Sequence, residues 1–309
     1  MNLIKLKPAT KDYIWAGTKL KKYGKEAPYD NIAECWELSF HKDGPSIIDS
    51  GEDKGKLLKD VATKADLGEY AASFPFFPVL IKLIDSGDNL SVQVHPNDEY
   101  ALKNENSFGK TEMWYVLEAE KGSGLYVGLK DNSSREEIED ALKNGTILSK
   151  LNFFPVKKGE VYFIQSGTIH AIGKGVTVIE IQQNSNLTYR LYDYNRLGKD
   201  GKPRELHIEK ALQVTKRVPI LRKKSFEPHI VDCDYFTVDK IVLDGQRMKK
   251  IFGEIDKTSF ASLLVLDGTG KVQSGKECVE VQKGDSVFIT ANAGEYEMEG
   301  KFEALLTTV

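Results

Sequence analysis

The chain has 309 residues, 40% of them hydrophobic and 29% charged, with a formal net charge of −3. That length can bury one large or two moderate cores, and the composition is ordinary for a soluble globular protein. Basic residues are dispersed among acids, so no global field favours nucleic acid or a membrane as partner, and an anionic substrate must be met by a few local cations.

The N-terminus, MNLIKLKPATKDYIW, lacks the apolar core of a secretory signal. Cys35, Cys233 and Cys278 are widely spaced, form no CxxC pair and suggest no disulfide framework. A reducing cytoplasmic setting is expected. The most apolar stretch, FPFFPVLIKLI, is short and contains Pro75, Pro78 and Lys82, which predicts a buried strand rather than a membrane span. From Phe77 to His95 the pattern predicts a hairpin: a strand over 79–84, the turn Ser86-Gly87-Asp88-Asn89, and a return strand over 90–95. Further strands are expected over 112–118, 124–128, 160–164 and 176–182. Ser133-Ser134-Arg135-Glu136 reads as a capping box, after which Ile138, Ala141 and Leu142 recur at helical spacing up to Gly145. A second helix is predicted over 205–215, with Ile208, Ala211 and Leu212 on one face, following the turn Asp200-Gly201-Lys202-Pro203. After Lys224 strands resume over 236–243, 259–266, 286–290 and 301–307. Many short strands separated by glycine turns predict a mainly β fold, a sandwich or barrel with a few short helices.

One segment is repeated. VKKGEVYFIQSGTIHAI (156–172) is echoed by VQKGDSVFITANAGEYEM (281–298). Both carry a basic turn, a glycine followed by an acid, and an apolar strand running into a small-residue turn. His170 follows in the first copy, and Glu295 or Tyr296 stands there in the second. The repeat predicts two related β units, 1–224 with a site and 225–309 without one.

The stretch SVQVHPNDEY places Gln93 and His95 two residues apart in a strand ended by Pro96. Residues i and i+2 share a strand face, about 7 Å apart. Taken alone, the pair is either a solvated polar face or half of a metal site.

Two motifs together resemble the cupin superfamily. Gly159-Glu160, an apolar strand and Gly167-x-x-His170 are similar to its second motif, with Gln165 at the usual proline position. SVQVHP followed by Glu112 is similar to a variant of its first, with Gln93 replacing a histidine. The resemblance implies a jelly-roll barrel whose inner face holds a metal, so that Gln93, His95, Glu112 and His170 converge. Two imidazoles, a carboxylate and an amide oxygen suit a borderline divalent cation, with Zn²⁺ the natural candidate.

More of the chain resembles the type I mannose-6-phosphate isomerase family in its short bacterial form. The carrying segments, in order, are IWAGTKL (14–20), AECWELS (33–39), FPVLIKLID (77–85), LSVQVHPND (90–98), GKTEMWYVL (109–117), SGTIHAIG (166–173) and IEIQQNSNLTYRLYDY (179–194). The resemblance implies two cupin-like jelly-roll barrels, one Zn²⁺ per chain, and the four metal ligands just named. It implies a sugar phosphate substrate, with mannose 6-phosphate and fructose 6-phosphate interconverted through an enediol. Arg190 matches the family's essential arginine, and Lys110 matches the lysine of its KPEM motif. Lys82 is expected to meet the phosphate, since a lysine inside an apolar strand is otherwise costly to bury. Glu180 is expected at the substrate.

Two positions depart from the longer enzymes of the family. Gly109 stands where they have a histidine, and Asn186 where they have an aspartate, so neither serves as base here. Lys110, Glu180 or a water held by the metal remains for that role. Trp15, Trp36 and Glu37 are read as core or pocket mouth, and His41, His207 and His229 as structural or surface. Tyr13, Tyr189 and Tyr192 lie beside strands, at the sugar site or in packing. Other readings are a non-catalytic sugar-binding cupin, against which the complete ligand set counts, and an iron dioxygenase, which Gln93 and the KTEM context fit poorly.

Overall fold

The computed structural model describes residues 2–198, 200–220 and 226–309. The chain is mainly β, in sheets of nine, six and five strands. The six-stranded sheet runs Val161–Ile164, Glu112–Ala119, Val176–Gln183, Val79–Asp85, Glu34–Leu38 and Ala9–Lys11. The five-stranded sheet runs Tyr189–Tyr192, Val92–Val94, His170–Ile172, Gly124–Leu129 and Leu151–Pro155. These two sheets face each other as a sandwich rather than a continuous ring. Trp114, Val116, Val178 and Ile84 from one pack against Leu125, Val127 and Ile172 from the other.

The six-stranded sheet is buried on both faces. Residues of opposite parity, Val79, Ile81, Leu83, Met113, Tyr115, Ile179 and Ile181, meet Phe260, Leu264, Phe288 and Leu305 of the nine-stranded sheet. This explains why its strands read as unbroken apolar runs instead of alternating ones. It also explains how Lys82 comes to be buried within one.

The expected hairpin over 77–95 does not form. Val79–Asp85 pairs with Val176–Gln183 and Glu34–Leu38, whereas Val92–Val94 lies in the opposite sheet. The polar groups of the intervening turn are met by a neighbouring turn rather than by a return strand. Ser86 Oγ donates to the Gly173 carbonyl at 2.6 Å, and the Leu90 amide donates to the Ile172 carbonyl at 2.9 Å. The chain thus crosses between sheets and sets Lys82 opposite Gln93 instead of beside it.

Both predicted helices form. The first spans Arg135–Lys143, and its capping box uses Ser134 and Glu137, one residue later than the sequence reading placed it. The second is shorter than expected, Ile208–Val214. A further helix, Asp98–Glu105, capped by the Asn97 side chain, was not anticipated.

The second half, after the undescribed residues 221–225 in which the expected 224/225 boundary lies, contributes most of the nine-stranded sheet. The N-terminal strand Leu3–Lys7 and the short Ile47–Ile48 complete it, Leu3–Lys7 pairing with Ser286–Ile289. The repeat is visible in hydrogen bonds. Gly159 N donates to Val116 O and Val116 N donates to Glu160 O, at 2.8 and 2.9 Å; Gly284, Val265 and Asp285 reproduce the pattern at 2.9 and 2.9 Å. Gly167 and Asn292, at equivalent places, both have left-handed φ of 82° and 59°. The second copy is filled with apolar side chains such as Val272, Val287, Met298 and Phe302, and Glu295 is exposed. Among the described residues, no helix is long and apolar enough to cross a membrane.

Candidate active site

The site lies between the facing sheets of the first half. Register sets Trp36, Lys82, Glu180 and Trp114 side by side across the six-stranded sheet. On the five-stranded sheet Arg190, Gln93 and His170 form the opposing row. The period-two alternation brings Glu112 to the same face as Trp114, and His95 to the same face as Gln93.

The ligand atoms of His95, Glu112 and His170 all lie within 4.8 Å of one another, and all three residues are buried. Glu112 Oε1 is 3.3 Å from His170 Nε2, and Oε2 is 3.6 Å from His95 Nε2. Each imidazole has Nδ1 2.8 Å from a backbone carbonyl, that of Leu187 for His95 and of Thr168 for His170. A carbonyl only accepts, so each Nδ1 carries the proton and each Nε2 turns a bare lone pair inward. That is the tautomer a metal ligand needs, held by its outer hydrogen bond. Burial, and then Lys110, lower the pKa of His170 to about 4, and the same two causes push His95 well below its ordinary value. Both rings are therefore neutral at pH 7.

Gln93 meets the cluster with its amide nitrogen 3.4 Å from His170 Nε2, and a half-turn of the amide presents the oxygen there instead. Glu112 Oε1 is buried and accepts no hydrogen bond among the described residues. A buried carboxylate oxygen left without a partner is costly. Two imidazole nitrogens, this oxygen and the Gln93 amide therefore fit a divalent cation of the N/O-preferring type.

Charged groups continue from the cluster into the cleft. Lys110 Nζ contacts Glu112 Oε2 and lies 3.4 Å from His95 Nε2 and 3.5 Å from Glu180 Oε1. The Lys110–Glu112 ion pair is buried. Glu180 also takes Lys82 Nζ at 3.3 Å and Trp114 Nε1 at 2.9 Å. Burial works against its charge, but Lys110 and Lys82 outweigh it and hold the pKa at about 2. Burial and the Glu180 carboxylate, in that order, raise Glu112 instead. Lys82 lies 3.5 Å from Glu34 and 5.0 Å from the Trp36 ring centre. Burial opposes its charge as well, yet Glu34 and Glu180 raise its pKa.

A cleft of about 260 Å³ opens onto this floor, bounded by Tyr13, Lys82, Gln93, Lys110, Glu180 and Arg190, among others. Arg190 Nε donates to Ser91 Oγ at 3.3 Å and Nη1 to the Glu205 carbonyl at 2.9 Å. It does not pair with Asp193, which is held by Arg196 and Arg204. The eight residues expected at the site therefore converge. Of the aromatic residues, Tyr13 and Trp15 line the cleft, whereas Tyr189 turns its hydroxyl to Glu105 at 2.7 Å. His207 sits behind the site, its Nδ1 accepting from the Arg190 amide at 3.3 Å.

Glu34 and Arg204 line the cleft but were not singled out in the sequence. Strand parity could have found the first: Glu34 shares a face with Trp36, while Glu37 points the other way and pairs with Lys25 at 2.8 Å. Arg204 lies in a loop, and no local pattern marks it. At the position of the missing histidine, Gly109 is pressed against backbone. A Cβ there would lie 2.5 Å from Asn97 C, 2.6 Å from Asp98 N and 2.7 Å from Pro96 O. Asn186 lines the cleft and donates to Asp43 at 3.1 Å.

Comparisons with known proteins agree with this geometry. A family model of the phosphomannose isomerase type I catalytic domain matches residues 3–125, and one of the mannose-6-phosphate isomerase cupin domain matches 227–309. Mannose-6-phosphate isomerase ManA of Bacillus subtilis (strain 168) is 35% identical over 97% of each chain. The mannose-6-phosphate isomerase of Streptococcus mutans is 34% identical, covering 94% of this chain and 93% of its own. The crystal structure of the mannose 6-phosphate isomerase from Bacillus subtilis superposes with a TM-score of 0.90 over 100% of both chains at 32% identity. Near-complete coverage on both sides, together with the buried histidine–glutamate cluster, establishes that the chain belongs to the type I phosphomannose isomerase family.

Proposed function

We propose that the protein interconverts mannose 6-phosphate and fructose 6-phosphate, moving a proton between neighbouring carbons through an enediol. The observation that carries this reading is the convergence of His95, Glu112 and His170 with Gln93, Lys110 and Arg190 in one cleft of a chain from this family. Gln93, His95, Glu112 and His170 hold one Zn²⁺ per chain. When bound, the metal supplies electrophilic stabilisation of the negative charge that develops on the sugar oxygens.

The chain's own residues do the rest. Arg190 brings a permanent cation with donors fixed by Ser91 and the Glu205 carbonyl, suited to an oxyanion. Lys110 moves the proton, since its Nζ stands at the cleft floor among Glu112, Glu180 and His95. Glu180 is the weaker candidate for base, because a carboxylate held at a pKa of about 2 binds a proton poorly. Glu180 and Lys82 instead bind sugar hydroxyls. The charge of Lys82 is balanced by Glu34 and Glu180, which argues against the phosphate contact read from the sequence. Residues 1–224 form the catalytic unit and 225–309 a degenerate cupin-like domain, a division supported by the shared hydrogen-bond pattern of the repeat and the apolar filling of its second copy. The three widely spaced cysteines, with no CxxC pair in the sequence, motivate a cytoplasmic setting.

A dehydrogenase-coupled assay of the zinc-supplied protein tests the reading. It should form fructose 6-phosphate from mannose 6-phosphate. Folded, zinc-loaded protein that turns over neither sugar phosphate would overturn it.

A further inference from the structure

The two ends of the cleft differ in charge. At the inner end Lys82 and Lys110 stand among Glu34, Glu112 and Glu180, so carboxylates outnumber ammonium groups. At the outer end Arg196 and Arg204 share two aspartates, and Arg190 stands between them and the metal-ligand row, in register with Gln93. Arg204 donates Nε and Nη2 to the two oxygens of Asp193, at 2.8 and 2.6 Å. Arg196 takes Asp193 at 2.6 Å and Asp88 at 3.3 Å. Arg190 bonds neutral acceptors, Ser91 Oγ and the Glu205 carbonyl. The Glu205 carboxylate also acts on Arg190, so the outer end is balanced in charge where the inner end is negative, and what it offers an anion is guanidinium donors.

The arrangement also leaves donors unused. Among the described residues, no hydrogen bond uses Nη1 of Arg204 or Nη2 of Arg190, and both residues line the cleft. Arg190 Nη1 holds the carbonyl of Glu205, the residue that follows Arg204; both arginines line the same cleft, and the Arg204 charge acts on Arg190. Like charges held together favour an anion between them. A dianion with several acceptor oxygens, such as a phosphate monoester, matches this geometry. The distance to the metal ligands also fits. Arg190 is in register with Gln93, and Gln93 with His170, so the Arg190 backbone lies two strand spacings, about 10 Å, from that of His170. An open-chain hexose 6-phosphate covers that span.

We propose that Arg204, fixed by Asp193 and flanked by Arg190, anchors the phosphate of the substrate. The proposal rests on the isomerase reading and adds to it a residue that sets the preference for phosphorylated over free sugar. Arg204 then serves binding shared by ground and transition states.

The test combines titration and kinetics on zinc-loaded protein. Inorganic phosphate and fructose 6-phosphate are titrated calorimetrically into the wild type, Arg204→Ala and Arg204→Lys. Losing one charge-assisted contact should weaken both ligands in the alanine variant by roughly tenfold to a hundredfold, with the lysine variant in between. In turnover, KM for mannose 6-phosphate should rise by a similar factor while kcat stays within about threefold, as loss of uniform binding requires. A folded alanine variant with wild-type affinity for both ligands would overturn the proposal, as would one losing kcat at unchanged KM. If the alanine variant does not fold, the lysine variant decides, and unchanged affinity there is equally fatal. The titrations need no turnover, so they judge Arg204 separately from the isomerase reading.

Discussion

Gly109 offers a sharp test of how the active lysine is held. Replacing it with alanine puts a methyl group 2.5–2.7 Å from three backbone atoms, of Asn97, Asp98 and Pro96, where ordinary contacts exceed 3.0 Å. No flexible side chain can yield, so the backbone must. Overpacking of this kind costs about 1–3 kcal/mol. With an unfolding entropy of about 2.1 cal/mol/K per residue over 309 residues, that is a fall in Tm of about 2–5 °C. Activity should suffer more. Gly109 N donates to Asp98 Oδ1 at 2.7 Å and Lys110 N to the Pro96 carbonyl at 3.0 Å, so the segment that must shift is the one that aims Lys110. A misplacement on the order of 1 Å can cost about a hundredfold in rate. Thermal unfolding and steady-state kinetics of Gly109→Ala check both values. Gly109→His, which restores the residue of the longer enzymes, should be worse still. Wild-type Tm and kcat in the alanine variant, or a gain of activity in the histidine variant, would refute the reasoning.

Other outcomes follow from the same contacts. Arg190→Lys should lower kcat by roughly 10²–10³-fold with a smaller change in KM, because a lysine cannot reproduce donors held by Ser91 and Glu205. Glu112→Ala should abolish stoichiometric zinc, as read by elemental analysis of dialysed protein; a full zinc complement would remove Glu112 from the ligand set. Glu180→Ala leaves Lys82 with Glu34 alone and Trp114 Nε1 without its acceptor, and should destabilise by about 3–5 kcal/mol in denaturant titration. Acid stability carries the same signature. The folded pKa of Glu180 lies below its ordinary 4.5, at about 2, so its contribution is complete above pH 4.5 and is lost as pH falls toward 2. Wild type should lose more stability than Glu180→Gln across this window, and parallel pH profiles would contradict it.

The histidine–glutamate cluster was legible because its elements are local: an i, i+2 pair in a strand, a glutamate opening the next long strand, and a histidine after a left-handed glycine turn. The hairpin was misread because turn chemistry at 86–89 says that the chain reverses, not which neighbour satisfies its polar groups. Here the Gly173–Val176 turn does so, and the return strand joins the opposite sheet. That one crossing also hid the true partners of Lys82. The helix Asp98–Glu105 has one buried residue, Ala101, so it carried almost no apolar periodicity to read. The pairing of Leu3–Lys7 with Ser286–Ile289 spans nearly the whole chain, beyond any local signal. Arg204 escaped because it lies in a loop with no periodic pattern, and its place is fixed by a side-chain contact to Asp193.

The most direct measurement is isomerase activity on mannose 6-phosphate before chelation, after chelation with metal removal verified, and after zinc is restored. The account predicts loss with the metal and recovery with zinc, together with failure to recover in His95→Ala or His170→Ala. Full activity in protein shown to be free of metal would contradict the central claim that the buried histidine–glutamate cluster is the working centre.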